Sequence, residues 1–334
     1  MASGLTWPNG KKVAVSVTVM FETWADDKAP TYSVQTTHLK SGTVDHAGKA
    51  WSTYGGRVGV WRIIRLLDRL GIPGTFCVNA RCTEQYPEAV KAIVRSGHDI
   101  AGHAYTQDQL LAYMSLEQQE STIRRSIDLL QQCGGKTVTG WASPVVAFTP
   151  ETACFLAKAG LTWTTDVTYA DLPIKIHTAH GTIAGVPTTD FSDNRVLRAN
   201  PRDLYHAHKG TFEYLVENEP MGLLVLVIHC QFGGRPLITA VLNELLAELA
   251  RSSDVWFARH EELARAGRST PMSMSTAIEA ASSKRLRRMR PRRGACAARH
   301  NAEDTVQRPP CTIRCMRLRR GCRSIPAVVR LTAP

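Results

Sequence analysis

No apolar run in this 334-residue chain reaches the roughly 18 positions that a membrane-spanning helix needs, so no helical membrane partner is expected. The opening stretch MASGLTWPNGKK lacks both an apolar centre and a small-residue cleavage site, and the expected location is the cytoplasm. Tight C-x-x-C pairs are missing too. The closest of the nine cysteines, Cys311 and Cys315, are spaced C-x-x-x-C. In a cytoplasmic chain the widely spaced Cys77, Cys82, Cys133, Cys154 and Cys230 read as small buried hydrophobes.

Acidic residues are scarce at one end. After Ala266 lie 16 of the 41 basic residues but only 3 of the 29 acidic ones, so the formal net charge of +12 belongs to that tail and the rest is near neutral. The charge therefore gives no ground for reading the body as a nucleic-acid binder, and nucleic acid is not an expected partner. The tail is rich in arginine, with Lys284 its only lysine, and carries no helical or strand period. A basic nucleic-acid-binding extension and a zinc cluster of Cys296, His300, Cys311, Cys315 and Cys322 are both weaker readings than a disordered extension. Its arginine, alanine, proline and cysteine content is what out-of-frame translation of a GC-rich gene would give. The expected division is a body of residues 1–265 and a tail of residues 266–334.

The body alternates β-like runs with amphipathic helical segments, the pattern of a parallel α/β sheet or barrel. The runs are VAVSVTV from Val13, GTFCVN from Gly74, HDIAG from His98, TGWAS from Thr139, LTWTTD from Leu161, AGVPTTD from Ala184, LLVLVIH from Leu223 and VWFA from Val255. Leu223 to Ile228 has no polar position, as for a strand buried on both faces. Val60, Trp61, Ile63, Ile64, Leu67 and Leu70 form one helical face ended by Gly71. Ser115 with Gln118 predicts a capping box, Thr149-Pro150 a helix start, and Pro236 another helix with Ile238, Leu242, Leu245 and Leu249 buried.

In a parallel barrel the chemistry projects from the C-terminal ends of strands. Those ends carry Glu22, then His103, Tyr105 and Gln107, then Asp166 and Asp171, then Asp190 and Asp193, then His229 and Arg235. Trp24, Trp51 and Trp141 fall near the same loops, where an aromatic could stack on a planar substrate or cap the core. The insertion over residues 26–52 has few apolar anchors and reads as a lid that could bring His38, Asp45 or His46 to the rim.

The order GIPGTFCVN, SGHDIAGHAYT, GWASPVVAFTPET, LVIHCQFGGRP and DVWFARHEEL resembles the polysaccharide-deacetylase (NodB-homology) superfamily across residues 5–265. YGGRVGVWRIIRLLDRLGIPGTF, DVTYADLP and the H-x-x-x-G-G-R-P ending look most like its branch of metal-independent allantoinases, cyclic-imide hydrolases and a peptidoglycan deacetylase. The resemblance implies a distorted TIM-like (β/α)7-8 barrel of the glycoside hydrolase/deacetylase type. Many members carry a base Asp and a metal-binding Asp after the first strand, where this chain has Met20 and Glu22. The metal-binding H-x-x-x-H becomes His103 to Gln107, and the arginine of the R-x-P motif becomes Ala142. His229 matches the histidine that assists the leaving group.

Glu22, His103 and Gln107 are a poor ligand set for a divalent ion such as zinc, so no cofactor is expected, with one such ion as the alternative. Without a metal, amide hydrolysis needs a base, an oxyanion partner and a proton donor. Glu22 becomes the base if burial raises its pKa, with His103 and His229 as the other catalytic candidates. Trp24, Tyr105, Trp141, Asp166, Asp171 and Arg235 are the expected substrate contacts. The expected partner is a small amide, ureide or cyclic imide, whose acylated leaving nitrogen needs less help than an acetamide; a homo-oligomer is compatible with the sequence. The alternatives are a metal-dependent carbohydrate N-deacetylase and a non-catalytic carbohydrate- or metabolite-binding barrel.

Overall fold

The computed structural model of the chain describes residues 7–35, 39–40 and 42–269. All of these lie in the first of two compact units, Met1–Ala277. The second, Ile278–Pro334, lies outside the described residues, as do the readings made for the arginine-rich tail.

The strands are β1 (Val13–Phe21), β2 (Gly74–Val78), β3 (Asp99–Gly102), β4 (Gly140–Trp141), β5 (Trp163–Thr164), β6 (Ile174–Thr178), β7 (Gly181–Gly185), β8 (Gly222–His229) and β9 (Val255–Phe257). They form one sheet in the order β6-β7-β5-β4-β3-β2-β1-β8, with β9 also on β1. Every pairing is parallel except β6 with β7. The sheet curls into the distorted barrel that the sequence implied. One edge of β1 is taken by β8; the other is shared, with Val13, Ala14 and Val15 on β9 and residues from Val17 to Phe21 on β2.

The helices are α1 (His46–Tyr54), α2 (Val60–Leu70), α3 (Cys82–Gln85), α4 (Pro87–Arg95), α5 (Leu116–Gly134), α6 (Thr152–Lys158), α7 (Arg202–Asn218), α8 (Pro236–Leu249) and α9 (His260–Ser269). Gly71 ends α2 at φ 64°, a left-handed conformation that costs glycine little. Ser115 and Gln118 cap α5 reciprocally, and Pro236 opens α8. The expected start of α6 at Thr149-Pro150 slips: Thr149 N–H donates to Thr152 Oγ1 at 2.9 Å, and the helix runs from Thr152.

The β6–β7 hairpin departs from the sequence reading, which began a strand only at Ala184. Lys175 and His177 alternate outward on β6, and that half-exposed pattern lacks the continuous apolar run of a buried strand.

Alternation along β1 positions the site. Val13, Val15, Val17, Val19 and Phe21 pack in the larger core cluster with residues of α2, α4, α5 and α8, whereas Ala14 belongs to a second cluster with Cys77, Ala101, Trp163 and Ala184 inside the barrel. Thr18 shares that inner side and lies 2.7 Å from His260 Nε2 through its hydroxyl. The same alternation carries Met20 and then Glu22 to the mouth.

Candidate active site

A cavity of about 570 Å³ opens at the C-terminal ends of the strands, lined among others by Met20, Glu22, Trp24, Tyr32, His103, Gln107 and His229. Glu22 follows β1, His103 follows β3, and His229 is the last residue of β8. Glu22 Oε1 lies 3.8 Å from Nε2 of His103 and 3.8 Å from Nε2 of His229. Its Oε2 accepts hydrogen bonds from the Tyr32 hydroxyl at 3.0 Å and the Gln231 amide at 2.6 Å.

The two imidazoles differ in their second partners. His103 Nδ1 lies 2.7 Å from the Ala142 carbonyl oxygen. A carbonyl only accepts, so Nδ1 bears a proton, and the other ring nitrogen, Nε2, is buried without a hydrogen-bond partner among the described residues. His229 Nδ1 lies 2.5 Å from Asp193 Oδ1, and its backbone N–H donates to Asp193 Oδ2 at 2.8 Å. Burial pulls the pKa of His229 down, but the carboxylates of Asp193 and Glu22 override it and hold the ring at about 9, so it is an imidazolium at neutral pH.

Glu22 departs from the sequence expectation. Burial pushes its carboxyl up, yet the charge on His229, the His103 ring and the Gln231 amide together hold it below its ordinary value. It is a carboxylate but a weak base. Burial, with Glu22 alongside, raises the Tyr32 phenol well above its usual range, so Tyr32 stays a donor.

The remaining candidates are placed unevenly. Trp24 lines the cavity and meets Tyr32 edge-on at 6.3 Å between ring centroids. Tyr105 does not line it: Ala104 adopts φ 53° and turns the chain, and the Tyr105 hydroxyl donates to Glu84 on the far side. Trp141 is fully buried, donates to Ser143 Oγ at 3.1 Å and packs the core instead of facing substrate. Asp166 accepts from Ser143 N–H at 2.9 Å and from Ser143 Oγ at 2.7 Å, and burial raises its pKa; it braces the Ser143 loop from behind. Asp171 lines a different cavity, with Asp190, Phe191 and His208. Arg235 donates from Nε to the Gln231 carbonyl at 3.0 Å and stacks over Tyr54 at 4.2 Å, securing the turn that carries Gln231. In the insertion, Asp45 caps α1 by accepting from Gly48 N–H and His46 is exposed; His38 lies outside the described residues. Trp51 is buried against Tyr32.

Asp193, Tyr32 and Gln231 complete the constellation, and of these Tyr32 and Gln231 were not singled out as site residues from the sequence. Asp193 stood among the rim carboxylates, but nothing local pairs it with a histidine 36 positions on. Val145 and Val146, at φ 55° and 57°, are β-branched residues in the left-handed region, and both line the mouth.

Glu22, His103 and Gln107 do not fit a catalytic divalent ion. Both oxygens of Glu22 are engaged, Oε2 by two donors and Oε1 by the nearby imidazolium, and the third donor is a neutral amide. Among the described residues no three His, Cys, Asp or Glu side chains gather as a metal centre.

Residues 49–164 match the family model described as Polysaccharide deacetylase. A peptidoglycan deacetylase of Helicobacter pylori is 30% identical over 107 residues, 32% of this chain. The chain spans 36% of the length of that relative. A crystal structure of a probable polysaccharide deacetylase from Pseudomonas aeruginosa PAO1 is 25% identical with a TM-score of 0.70, covering 79% of this chain and 94% of that one. Puue allantoinase shares the fold at a TM-score of 0.71 and 24% identity, covering 79% of this chain and 93% of its own. Residues 49–164 thus match the polysaccharide deacetylase family model, and the described residues share the fold of a solved probable polysaccharide deacetylase.

Proposed function

We propose that this barrel hydrolyses a non-peptide C–N bond in a small amide, ureide or cyclic imide without a resident metal ion. One observation carries the reading: a single buried carboxylate lies between two imidazoles with different partners at Nδ1, the Ala142 carbonyl oxygen for His103 and the Asp193 carboxylate for His229. A water bridging Glu22 Oε1 and His103 Nε2 gives a proton to His103 as its oxygen attacks the carbonyl carbon. The imidazolium of His229 then protonates the departing nitrogen as the C–N bond breaks, and Asp193 holds its ring in place. Glu22 orients the water and balances the charge on His229. Tyr32 and Gln231 fix the carboxylate, and the aromatic wall of Trp24 suits a planar substrate.

Replacing His103 or His229 by Ala is expected to lower kcat at least about a hundredfold on a cyclic imide or ureide that the wild type turns over, the usual size of a general acid–base contribution. Near-wild-type rates in both variants overturn the assignment.

The family match and the Helicobacter pylori relative favour a second reading, a metal-dependent carbohydrate N-deacetylase. Stoichiometric zinc in the purified protein, with turnover of N-acetylated sugars abolished by chelation, would establish it against the first.

A further inference from the structure

Glu22 and His229 line the base of the cavity, and the Asp193 carboxylate is buried behind the His229 ring. An anionic group is therefore repelled from the reacting end. Two cations and one further carboxylate, Asp108, line the rest of the cavity, so the remaining lining is net positive. Arg195 and Lys28 both line the cavity and are exposed. Lys28 is paired with Asp27 at 3.0 Å, whereas the Arg195 guanidinium has no hydrogen-bond or ion-pair partner among the described residues. Arg195 sits on the helical turn Asp193–Val196, the same turn that presents Asp193 to His229, so the rim cation and the carboxylate that holds the His229 ring belong to one short segment. Arg198 fastens the end of this loop by donating to the Ser33 carbonyl at 3.1 Å. Beside Arg195, the Asn194 side chain accepts from Ser192 Oγ at 2.6 Å through Oδ1, which leaves its amide N–H groups to donate into the same cavity.

The geometry points to Arg195, with Asn194, as the subsite for a carboxylate carried by the substrate away from its scissile amide. This rests on the C–N hydrolase reading above and names the substrate class more narrowly: an anionic cyclic ureide or imide, docked with its neutral amide toward Glu22 and His103 and its carboxylate at the rim. The fork of guanidinium donors matches a carboxylate in bidentate fashion. A negative base and a positive rim fix the orientation of a dipolar substrate before any contact at the reacting atoms is made.

The test compares hydantoin-5-acetate with its neutral isostere hydantoin-5-acetamide in the full chain. The wild type is expected to prefer the acetate in kcat/KM by about fivefold to tenfold, the range of a solvent-facing charge-assisted pair, mostly through KM. R195Q should collapse that ratio toward one and R195K should keep part of it, while added salt should shrink it in the wild type only. A ratio near one in the wild type, or an equal ratio in wild type and R195Q, overturns the subsite. If neither compound is turned over, the hydrolase reading fails for this substrate class and the subsite is read by calorimetry with the same two ligands. Tighter binding of the acetate that is lost in R195Q sustains it, and equal binding or none overturns it.

Discussion

His229 is held as an imidazolium by two carboxylates, and this sets a measurable pH limb. A raised pKa means the acid form is present below about 9 and is lost as pH climbs through that value, so turnover should fall on the alkaline side there. D193N removes one of the supporting charges and leaves the shape of the side chain nearly unchanged. The alkaline limb should move down from about 9 toward the ordinary histidine value of 6.5, which a pH–rate profile reads directly; an unmoved limb would assign that pKa to another group. At this scale the sequence was partly legible. The strand-end rule placed Glu22, His103 and His229 because each follows or closes a recognisable β run. It could not distinguish Tyr105, two residues beyond His103, because the left-handed Ala104 that reverses its direction leaves no mark in composition. Asp193 and Tyr32 reach the site through long-range contacts, which no local period reports.

Between α1 and α2 the chain widens into a π-helical turn, Gly55–Gly59, a form often found beside functional sites. It lies against the turn after β8, and a Cβ on Gly59 would fall 1.9 Å from the Cys230 carbonyl oxygen. G59A must therefore push away the segment that carries Gln231 and Arg235. The expected cost is about 1–3 kcal/mol in stability, as for other overpacked sites, with a loss of turnover because Gln231 no longer fixes Glu22. Thermal melts and kinetics of the same preparation check both. Helices whose boundary chemistry is local, α2 with Gly71 and α5 with its capping box, were legible in the sequence. The β6–β7 hairpin was not, since half-exposed alternation on a short strand looks like a loop.

Inside the barrel, His260 is fully buried between Thr18 and Trp163, and burial alone drives its pKa down to about 3. Between about 3 and 6.5 the unfolded chain binds this proton and the folded chain does not. The contribution of His260 to stability is thus complete above about 6.5 and is lost as pH falls from there toward 3. H260Q should flatten that part of the curve of Tm against pH; an unchanged acid slope would place the titration elsewhere.

The shared edges of β1 have a consequence for the order in which the molecule can be assembled. Val13 pairs with Gly222 and Val255, so the first strand waits for residues made more than two hundred positions later before both of its edges are filled. During synthesis an apolar ribbon from Val13 to Phe21 leaves the ribosome with β2 as its earliest partner and one flank bare. Such distant pairing makes for slow closure. Until β8 emerges, that flank is the segment a molecular chaperone would be called on to shield.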